Sequence, residues 1–495
     1  SKQVASALDN PLVIKIVDPS GIAIPHETVN FNISAYPEGA SGQALSASSA
    51  VTDVNSQAQV SLTLGTKAGT YTVTVSSGTL TSVQFNAIAT ARAPYKVVLS
   101  GPVSVKAGEV STVFTADIKD EYDNASNVSA STVFSLTKSP ARPSGVFYSN
   151  SDGTGVISSV TIANGANSAS FYYKDTLTGT ANLVATRTSG VALTEASSSQ
   201  EVTIIPSDAY RFTVTGTNDT ISTGESKVLT VTAYDNLGNV KDDYTGNVNV
   251  IFSGANVSPA PSSKKPTASN RLNQDIDFGQ STSLSFASGV ATSTVKLYKV
   301  EDVSLKVTSG SVTTADTDDL NFTVRHSAAN HLKFAANLPT PQAAGVEFNF
   351  DTVLHAVDLY DNICDGVNGS TAFSGSRQIT WSLSGASNGP EGNVIDEFVS
   401  PVEFSAGAST TNLKARLYRA QDTTITAGTA ALTGVNVASN TITVNSGAVA
   451  KLRFSQETAA SCVTSQALAT QPKVAVSDQY GNTFSGSSAN VKLDA

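Results

Sequence analysis

Alternating apolar and polar positions dominate the chain, and they recur in short segments that each end at an aspartate. The clearest segment is VLHAVD, residues 353–358, in which Leu354 and Ala356 share one face. An alternation with a period of two predicts a β-strand that buries one face and exposes the other. Five segments of this kind predict five strands, and they end at Asp18, Asp120, Asp235, Asp358 and Asp478.

A turn signature follows each of these strands. Four copies read D-x-x-G-N or D-x-x-D-N, namely DEYDN, DNLGN, DLYDN and DQYGN, and the weaker first copy, DPSGI, lacks the asparagine. Gly, Asp and Asn tolerate a left-handed backbone, and Asp and Asn cap turns through their own side chains. The pattern therefore predicts that each strand stops at its aspartate and turns sharply.

The spacing of the aspartates predicts how many domains the chain holds. Successive aspartates lie 102, 115, 123 and 120 residues apart, which is the size of a domain and not of a solenoid repeat. About 100 residues of short alternating strands is typical of an immunoglobulin-like sandwich. We predict an all-β chain of tandem immunoglobulin-like β-sandwich domains in an elongated rod. The predicted modules are residues 1–93 (module 1, first strand missing), 94–206 (module 2), 207–327 (module 3), 328–446 (module 4) and 447–495 (a partial module 5).

Further patterns recur within the modules. A third strand places Phe31, Phe134 or Trp381 inward, and a late segment holds two alternating runs around a turn, which predicts a β-hairpin. These late segments are Gln59–Gly78, Ser168–Arg187, Thr292–Gly310 and Thr411–Gly428. The links between modules are short, so neighbours are expected to lie nearly end to end. Because both ends of the sequence fall inside modules, we expect it to be an excerpt of a longer polypeptide.

These motifs resemble the bacterial immunoglobulin-like repeats of the invasin and intimin type. The shared features are the alternating strand, the D-x-x-G-N turn and a late segment such as LTLGTKAGTYTVTVSSG. The resemblance covers nearly the whole chain and implies an extracellular, cell-surface location, because such modules occur in outer-membrane adhesins, giant surface adhesins and S-layer proteins. The copies are divergent, and no sugar-binding tip domain is apparent, so a dedicated receptor-binding end is not supported.

Composition narrows the classes of function. Charged residues make up 14% of the chain, against roughly 25% in ordinary soluble domains, and Ser, Thr, Asn and Gly carry the polar surface instead. The net charge of −10 argues against nucleic acid as a partner, since phosphate binding needs a basic surface. No apolar run approaches the ~20 residues that span a bilayer, so no membrane span is expected in this segment. The two cysteines, Cys364 and Cys462, exclude a disulfide-stapled scaffold, and we expect them not to pair with each other.

Two of the turns carry a second aspartate and are candidate calcium sites. They pair Asp120 with Asp123 and Asp358 with Asp361. Ca²⁺ takes six to eight oxygen ligands, and carboxylates near a strand end supply several. A turn closed by its own side-chain caps is the favoured alternative. Further acids appear at apparently matching places of the late segments, namely Asp175, Asp302 and Asp422, whereas Asp316, Asp318 and Asp319 are interpreted as a solvated loop.

Catalysis requires convergent groups, such as a nucleophile with a base and an orienting residue. No serine lies in a G-x-S-x-G motif, and the four histidines fall at module edges or on an exposed strand face. Glu391, Asp396 and Glu397 resemble a carboxylate pair for sugar chemistry, but a long loop explains them better. We therefore expect a chain that is not an enzyme.

The sequence thus favours a non-enzymatic extracellular structural protein that belongs to a self-assembling S-layer or surface filament. Its partner would be further copies of the same chain. The alternative is the stalk of a bacterial cell-surface adhesin. A third possibility, spacer modules of a secreted polysaccharide-degrading enzyme, requires a catalytic domain outside this sequence.

Overall fold

The computed structural model describes residues 1–216, 220–350, 353–386, 388–393, 398–458, 465–467 and 469–485. Within these ranges the chain is built from strands, with one three-residue 3₁₀ turn, Val367–Gly369, and no α-helix. The prediction of an all-β chain is confirmed. Contacts divide the chain into two compact units, Ser1–Asp208 with Asp235–Lys241, and Ala209–Tyr234 with Asp242–Ala495.

Module 1 has a sheet in the order β1-β9-β8-β3-β5 and two smaller pairs, β2-β6 and β4-β7. Its strands are β1 (Lys2–Gln3), β2 (Leu12–Lys15), β3 (Thr28–Ala35), β4 (Ala44–Leu45), β5 (Ser49–Val51), β6 (Gln57–Val60), β7 (Leu62–Thr63), β8 (Gly69–Ser76) and β9 (Val83–Thr90).

Module 2 is a sandwich of two five-stranded sheets, β10-β12-β17-β14-β15 and β11-β19-β18-β13-β16. Its strands are β10 (Lys96–Ser100), β11 (Ser104–Lys106), β12 (Phe114–Lys119), β13 (Thr132–Ser139), β14 (Val146–Tyr148), β15 (Val156–Ile157), β16 (Ser159–Ile162), β17 (Ser168–Lys174), β18 (Gly179–Ser189) and β19 (Ser197–Ile205).

Module 3 is formed by eleven strands that join into one hydrogen-bonded set. They are β20 (Ala209–Gly216), β21 (Thr220–Ser222), β22 (Ser226–Asp235), β23 (Gly246–Ser253), β24 (Thr267–Ser269), β25 (Asp275–Asp277), β26 (Ser281–Phe286), β27 (Val290–Lys296), β28 (Asp302–Ser309), β29 (Val312–Thr314) and β30 (Leu320–Arg325).

Module 4 has shorter strands, and β43 and β44 form a two-stranded sheet at the start of module 5. The strands are β31 (His331–Phe334), β32 (Gln342–Ala343), β33 (Glu347–Asn349), β34 (Leu354–Val357), β35 (Gly375–Arg377), β36 (Thr380–Leu383), β37 (Val402–Ser405), β38 (Ala408–Ser409), β39 (Lys414–Arg416), β40 (Asp422–Thr423), β41 (Ile425–Gly428), β42 (Ile442–Asn445), β43 (Val449–Gln456) and β44 (Lys473–Asp478).

The predicted alternation places the core residues. In β12 every second side chain, Phe114, Ala116 and Ile118, is fully buried, because the pleat points alternate side chains into the space between the sheets. Four such cores lie within residues 4–89, 97–204, 212–324 and 332–444. The module boundaries between these cores stay a prediction.

The late segments are not hairpins, and that prediction was wrong. In module 2, β17 pairs with β12 and β14, whereas β18 pairs with β13 and β19 in the opposite sheet. In module 3, β27 likewise pairs with β22 and β24, whereas β28 pairs with β23 and β30, and the short β29 joins the two groups of strands. The turn between the two runs therefore crosses from one sheet to the other, and local alternation looks the same for an arch between sheets as for a hairpin.

A short parallel strand starts the second sheet of each sandwich. The strands β1, β11, β21 and β32 pair in parallel with β9, β19, β30 and β42. The strand predicted to be missing from module 1 is the one that opens modules 2 to 4 as β10, β20 and β31. The strand β1 is a different one, the counterpart of β11, and its two residues are too few for alternation to reveal. In modules 2 to 4 the opening strands β10, β20 and β31 lie next to β12, β22 and β34, the strands that lead to the aspartates. In module 1 the corresponding strand, β2, pairs with β6 alone.

The residue two positions after each of these parallel strands has a left-handed backbone. Three copies have glycine there, Gly108, Gly224 and Gly345, with φ of 80°, 78° and 77°, whereas module 1 has Ala5 at φ 52°. A side chain in the left-handed region costs roughly 1–2 kcal/mol, which glycine avoids.

We therefore expect Ala5→Gly to raise the free energy of unfolding of module 1 by about 1 kcal/mol. Differential scanning calorimetry of the whole chain measures the change. Ala50→Gly, in the middle of β5, is the matched control and is expected to destabilise by about 0.5–1 kcal/mol. A loss of stability in both variants would contradict the strain assigned to Ala5.

Candidate functional site

The aspartate turns form the most regular polar arrangement in the chain. In the turn after β12, Oδ1 of Asp120 accepts the backbone N–H groups of Tyr122 and Asn124, both at 2.9 Å. The Asp235, Asp358 and Asp478 turns repeat both bonds at 2.8 to 3.0 Å. The aspartate side chain thus replaces the hydrogen-bond partners that the turn's N–H groups lose when the strand ends.

The second carboxylate oxygen binds the link that precedes the module. Oδ2 of Asp120 accepts the backbone N–H of Arg92 at 2.9 Å, and Oδ2 of Asp478 accepts that of Gly447 at 2.8 Å. Asp235 and Asp358 accept the N–H groups of Ser207 and Ser327 in the same way, at 3.1 and 3.2 Å. All four aspartates are fully buried, so each one ties a turn to a link away from water.

The asparagine that ends each of these four turns binds a turn of the preceding module. The Asn362 amide donates to the carbonyl of Tyr298 at 2.8 Å, and its Oδ1 accepts the N–H of Val300 at 2.9 Å. The same amide also donates to the carboxylate of Asp358. One side chain therefore connects the module 4 turn with the arch between β27 and β28 of module 3.

This pair of bonds recurs at each described copy. Asn124 bonds the carbonyl of Thr66 and the N–H of Ala68 at 2.9 Å each, and Asn482 bonds those of Tyr418 and Ala420 at 2.8 Å each. Asn239 bonds the carbonyl of Thr176 at 2.9 Å and the N–H of Thr178 at 3.3 Å. We call each set of aspartate, asparagine and their backbone partners an aspartate-asparagine clamp.

In the turns of modules 3, 4 and 5 a large side chain, Leu237, Tyr360 or Tyr480, packs against the left-handed glycine described above. A Cβ built on Gly224 would lie 2.4 Å from the hydroxyl of Tyr360, and one built on Gly345 would lie 2.0 Å from the ring of Tyr480. Both tyrosines also meet a tyrosine of the arch in edge-to-face geometry, Tyr360 with Tyr298 and Tyr480 with Tyr418. The glycine therefore serves two needs at once, the backbone conformation and the space for an aromatic ring.

The clamp sets the ionisation of its aspartates. Burial acts to raise the pKa of Asp120, but the hydrogen bonds from the Asn124 side chain and from backbone N–H groups outweigh it and hold the pKa below its usual value. The same balance lowers the pKa of Asp235 and of Asp478. The charged carboxylate is the form that accepts all these donors.

The second aspartates of the candidate calcium turns form ion pairs. Asp123 lies 2.8 Å from Nζ of Lys96, and the buried Asp361 lies 3.3 Å from both Nζ of Lys333 and Nε2 of His331. Both aspartates have a left-handed backbone, φ 65° and 68°, at the position where other copies have glycine. Each aspartate thus lies in the same turn as its partner Asp120 or Asp358, but its carboxylate points to a basic side chain.

No group of three or more His, Cys, Asp or Glu side chains suited to a metal ion occurs in the described part of the chain. Donors of this chain already occupy both oxygens of Asp120 and Asp358. Calcium binding at Asp120, Asp123, Asp358 and Asp361 therefore stays a prediction, and an ion there would have to displace backbone N–H groups from a carboxylate.

The acids of the late segments do not occupy equivalent places. Asp175 begins the arch of module 2, whereas Asp302 and Asp422 begin the strands that follow the arch. Asp175 is fully buried and accepts hydrogen bonds from Arg142, Ser144 and Tyr173. Burial opposes ionisation of Asp175, but Arg142 and Ser144 hold its pKa below the usual range. The residues of this network all belong to module 2. Arg142 could not be recognised from the sequence, because it lies 33 residues before Asp175.

Other singled-out residues have structural surroundings. Trp381 is partly buried against the module 4 core, stacks on Phe398 with ring centroids 4.9 Å apart, and donates to the Val399 carbonyl. His326 is buried, with Nδ1 facing the Ser327 carbonyl and Nε2 facing the N–H of Gly366. Asp396 and Glu397, of the suggested carboxylate pair, lie outside the described residues.

Cys364 is buried and is not in a disulfide. Burial raises the pKa of its thiol to about 12, so the reactive thiolate is suppressed at neutral pH. Cys462 lies outside the described residues, and the expectation that the two do not pair stays a prediction. No helix in the described ranges has the length and apolar character that crossing a membrane requires.

Comparison with known proteins gives similarities of structure alone. No family model matches the chain, and no curated protein matches it. Its structure is similar to that of invasin, a bacterial integrin-binding protein, at 15% identity over 92% of this chain and 80% of that chain, with a TM-score of 0.34. It is also similar to FdeC, an Escherichia coli adhesin, at 16% identity over 71% of this chain and 96% of that chain, with a TM-score of 0.35.

A third similar structure is InvD of Yersinia pseudotuberculosis, at 15% identity over 65% of this chain and 94% of that chain, with a TM-score of 0.27. The resemblance to invasin and intimin noted from the sequence is met again among these neighbours.

We expect Asn362→Ala to lower the free energy of unfolding of module 4 by about 2 kcal/mol or more, because the Tyr298 carbonyl and the Val300 N–H lose their partner. The single tryptophan, Trp381, reports on module 4, so urea unfolding of the whole chain followed by its fluorescence measures the effect. Asn247→Ala, on an exposed position of β23, is the control. Equal midpoints for wild type and Asn362→Ala would show that the clamp contributes nothing.

Acid is expected to weaken the clamps. Since the pKa values of Asp120, Asp235 and Asp478 are lowered by folding, the unfolded chain takes up protons first, and stability falls as the pH drops from about 4 through the lowered values. Calorimetry between pH 6 and pH 2 measures this slope, and Asp120→Asn should make it shallower while reducing stability at pH 6. If stability falls equally steeply with pH in the wild type and in Asp120→Asn, Asp120 does not contribute to the acid sensitivity.

Proposed function

We propose that this chain is a non-enzymatic structural protein of the cell surface that assembles with further copies of itself into an S-layer or surface filament. The observation that carries the proposal is the repetition of one clamp, with five equivalent backbone partners in each copy, at Asn124, Asn239, Asn362 and Asn482. In each clamp the buried aspartate and asparagine bind backbone groups and so hold a turn, a link and an arch together.

The low charge of the chain supports assembly over an isolated stalk. Natural β proteins keep exposed edges apart with charged side chains, above all lysine, and this chain has 30 Lys and Arg in 495 residues. Ser, Thr and Asn surfaces can form many short hydrogen bonds with a smaller entropy loss than Lys or Glu surfaces. An adhesin stalk, the second candidate, needs the same clamps but also needs flanks that stay apart.

Electron microscopy of the purified chain, at rising concentration and with or without Ca²⁺, tests the proposal. We expect an ordered layer or fibre, with interfaces above roughly 1,000 Å². Isolated particles under every condition would overturn self-assembly and favour the stalk. If a chelator abolishes the ordered layer or fibre and also lowers the melting temperature, the result would support the calcium hypothesis. An ion that binds only the folded form stabilises the folded form.

A further inference from the structure

The outer face of the large, five-stranded sheet of module 1 carries no charge. Four of its strands, β3, β5, β8 and β9, read TVNFNISA, SAV, GTYTVTVS and VQFNAIAT, without a single Lys, Arg, Asp or Glu. In the fifth strand, β1, Lys2 pairs with the buried Ala89 and so lies on the core side of the sheet. The outward positions are held by Thr, Ser, Asn and Gln, with Val51 and Ile88 more than half exposed. We call this surface the module 1 face.

Its counterparts in modules 2 and 3 carry several charges, and the counterpart in module 4 carries one, the exposed Asp422 of β40. In module 3 the matching strand β28 exposes Asp302 and carries Lys306 on the same side, and the neighbouring β30 ends at Arg325. In module 2 the strand β19 exposes Glu201. The absence of charge is therefore a property of module 1 and not a requirement of the fold.

Hydrogen bonds across the strands hold the side chains of the module 1 face in place. The hydroxyls of Ser34 and Thr74 lie 2.7 Å apart, and Thr72 donates to Oδ1 of Asn86 at 2.8 Å. Side chains that are already ordered lose little further entropy when a partner binds. Hydroxyl and amide groups are donors and acceptors at once, so such a face can satisfy the hydrogen bonds of an identical face.

The size of the module 1 face suits a weak but specific contact. Four strands about 4.8 Å apart and up to about eight residues long, at about 3.4 Å per residue, span an area on the order of 500 Å². Two such faces together would bury about 1,000 Å², at the lower end of stable protein interfaces. Because each copy has a net charge of −10, close approach costs least where the surface has no charge.

We propose that the module 1 face is a self-association surface, and that its occupant is the same face of a second copy in a two-fold arrangement. Thr74, in the middle strand β8, lies near the centre of the contact, and the exposed Val51 and Ile88 supply its apolar part. This inference rests on the proposed function, since it names one contact of the proposed assembly.

The test places a charge at the centre of the face. Thr74→Glu puts two like charges opposite each other across the two-fold axis, and analytical ultracentrifugation of the whole chain is expected to show association weakened roughly tenfold or more. Raising the salt concentration should restore part of the loss, because exposed charges are screened. Thr308→Glu, the same substitution on β28 of module 3, is the matched control and should associate like the wild type.

A mixture of two oppositely charged variants distinguishes a lost contact from a folding defect, because only correctly folded variants can restore association with each other. Thr74→Lys alone should also weaken association, whereas an equal mixture of Thr74→Glu and Thr74→Lys should restore it. If the wild type associates and Thr74→Glu associates equally well, the module 1 face is not the contact and the proposed assembly stands. Equal weakening by Thr308→Glu would also overturn the inference. A wild type that stays monomeric at every concentration overturns the proposed assembly and this contact with it.

Discussion

The junctions of this chain depend on one asparagine side chain in each of the four aspartate turns of modules 2 to 5. An arch that crosses from one sheet to the other leaves a carbonyl and an N–H outside the ladders, and buried backbone groups without partners are costly. The asparagine amide satisfies both groups, for example Tyr298 and Val300 at Asn362, while its N–H₂ group also donates to the aspartate. Asp at that position would offer acceptors only, and Gln would be one methylene longer.

This constraint explains the other residues of the turn. The aspartate must stay charged to accept the turn N–H groups, the link N–H and the asparagine amide, and its lowered pKa at Asp120, Asp235 and Asp478 follows from those donors. The tyrosines at the centre of the module 4 and module 5 turns need a neighbour without a Cβ, which Gly224 and Gly345 provide. Each requirement is local in space, although the arch lies 56 to 64 residues before the asparagine in the sequence.

Because of that separation, the sequence predicted the aspartate turns but not the arches that their asparagines bind. Alternation and turn chemistry are local signals, so they located Asp120, Asp358 and the buried side chains of β12 and β13 correctly. They could not show that Asn124 reaches Thr66, 58 residues earlier, or that Asn362 reaches Tyr298, 64 residues earlier. The sequence does contain one signal of these contacts: a turn recurs about 60 residues before every D-x-x-x-N motif.

The same limit explains the late segments, because an arch and a hairpin share one local pattern and differ only in the strands they pair with. It also explains the acids. Asp175 and Asp302 looked equivalent by position, yet one starts an arch and the other a strand. The ion pairs of Asp123 with Lys96 and of Asp361 with Lys333 depend on tertiary contacts that no spacing rule contains.

The most direct measurement is amide hydrogen exchange at the backbone N–H groups that bind the asparagine oxygens, those of Ala68, Thr178, Val300 and Ala420. All four lie in turns between strands, where exchange is usually fast, because such amides open by local fluctuation. The clamp predicts that they exchange about as slowly as amides of the neighbouring strands, and that Val300 alone loses protection in Asn362→Ala. Fast exchange at all four amides in the wild type would contradict the clamp.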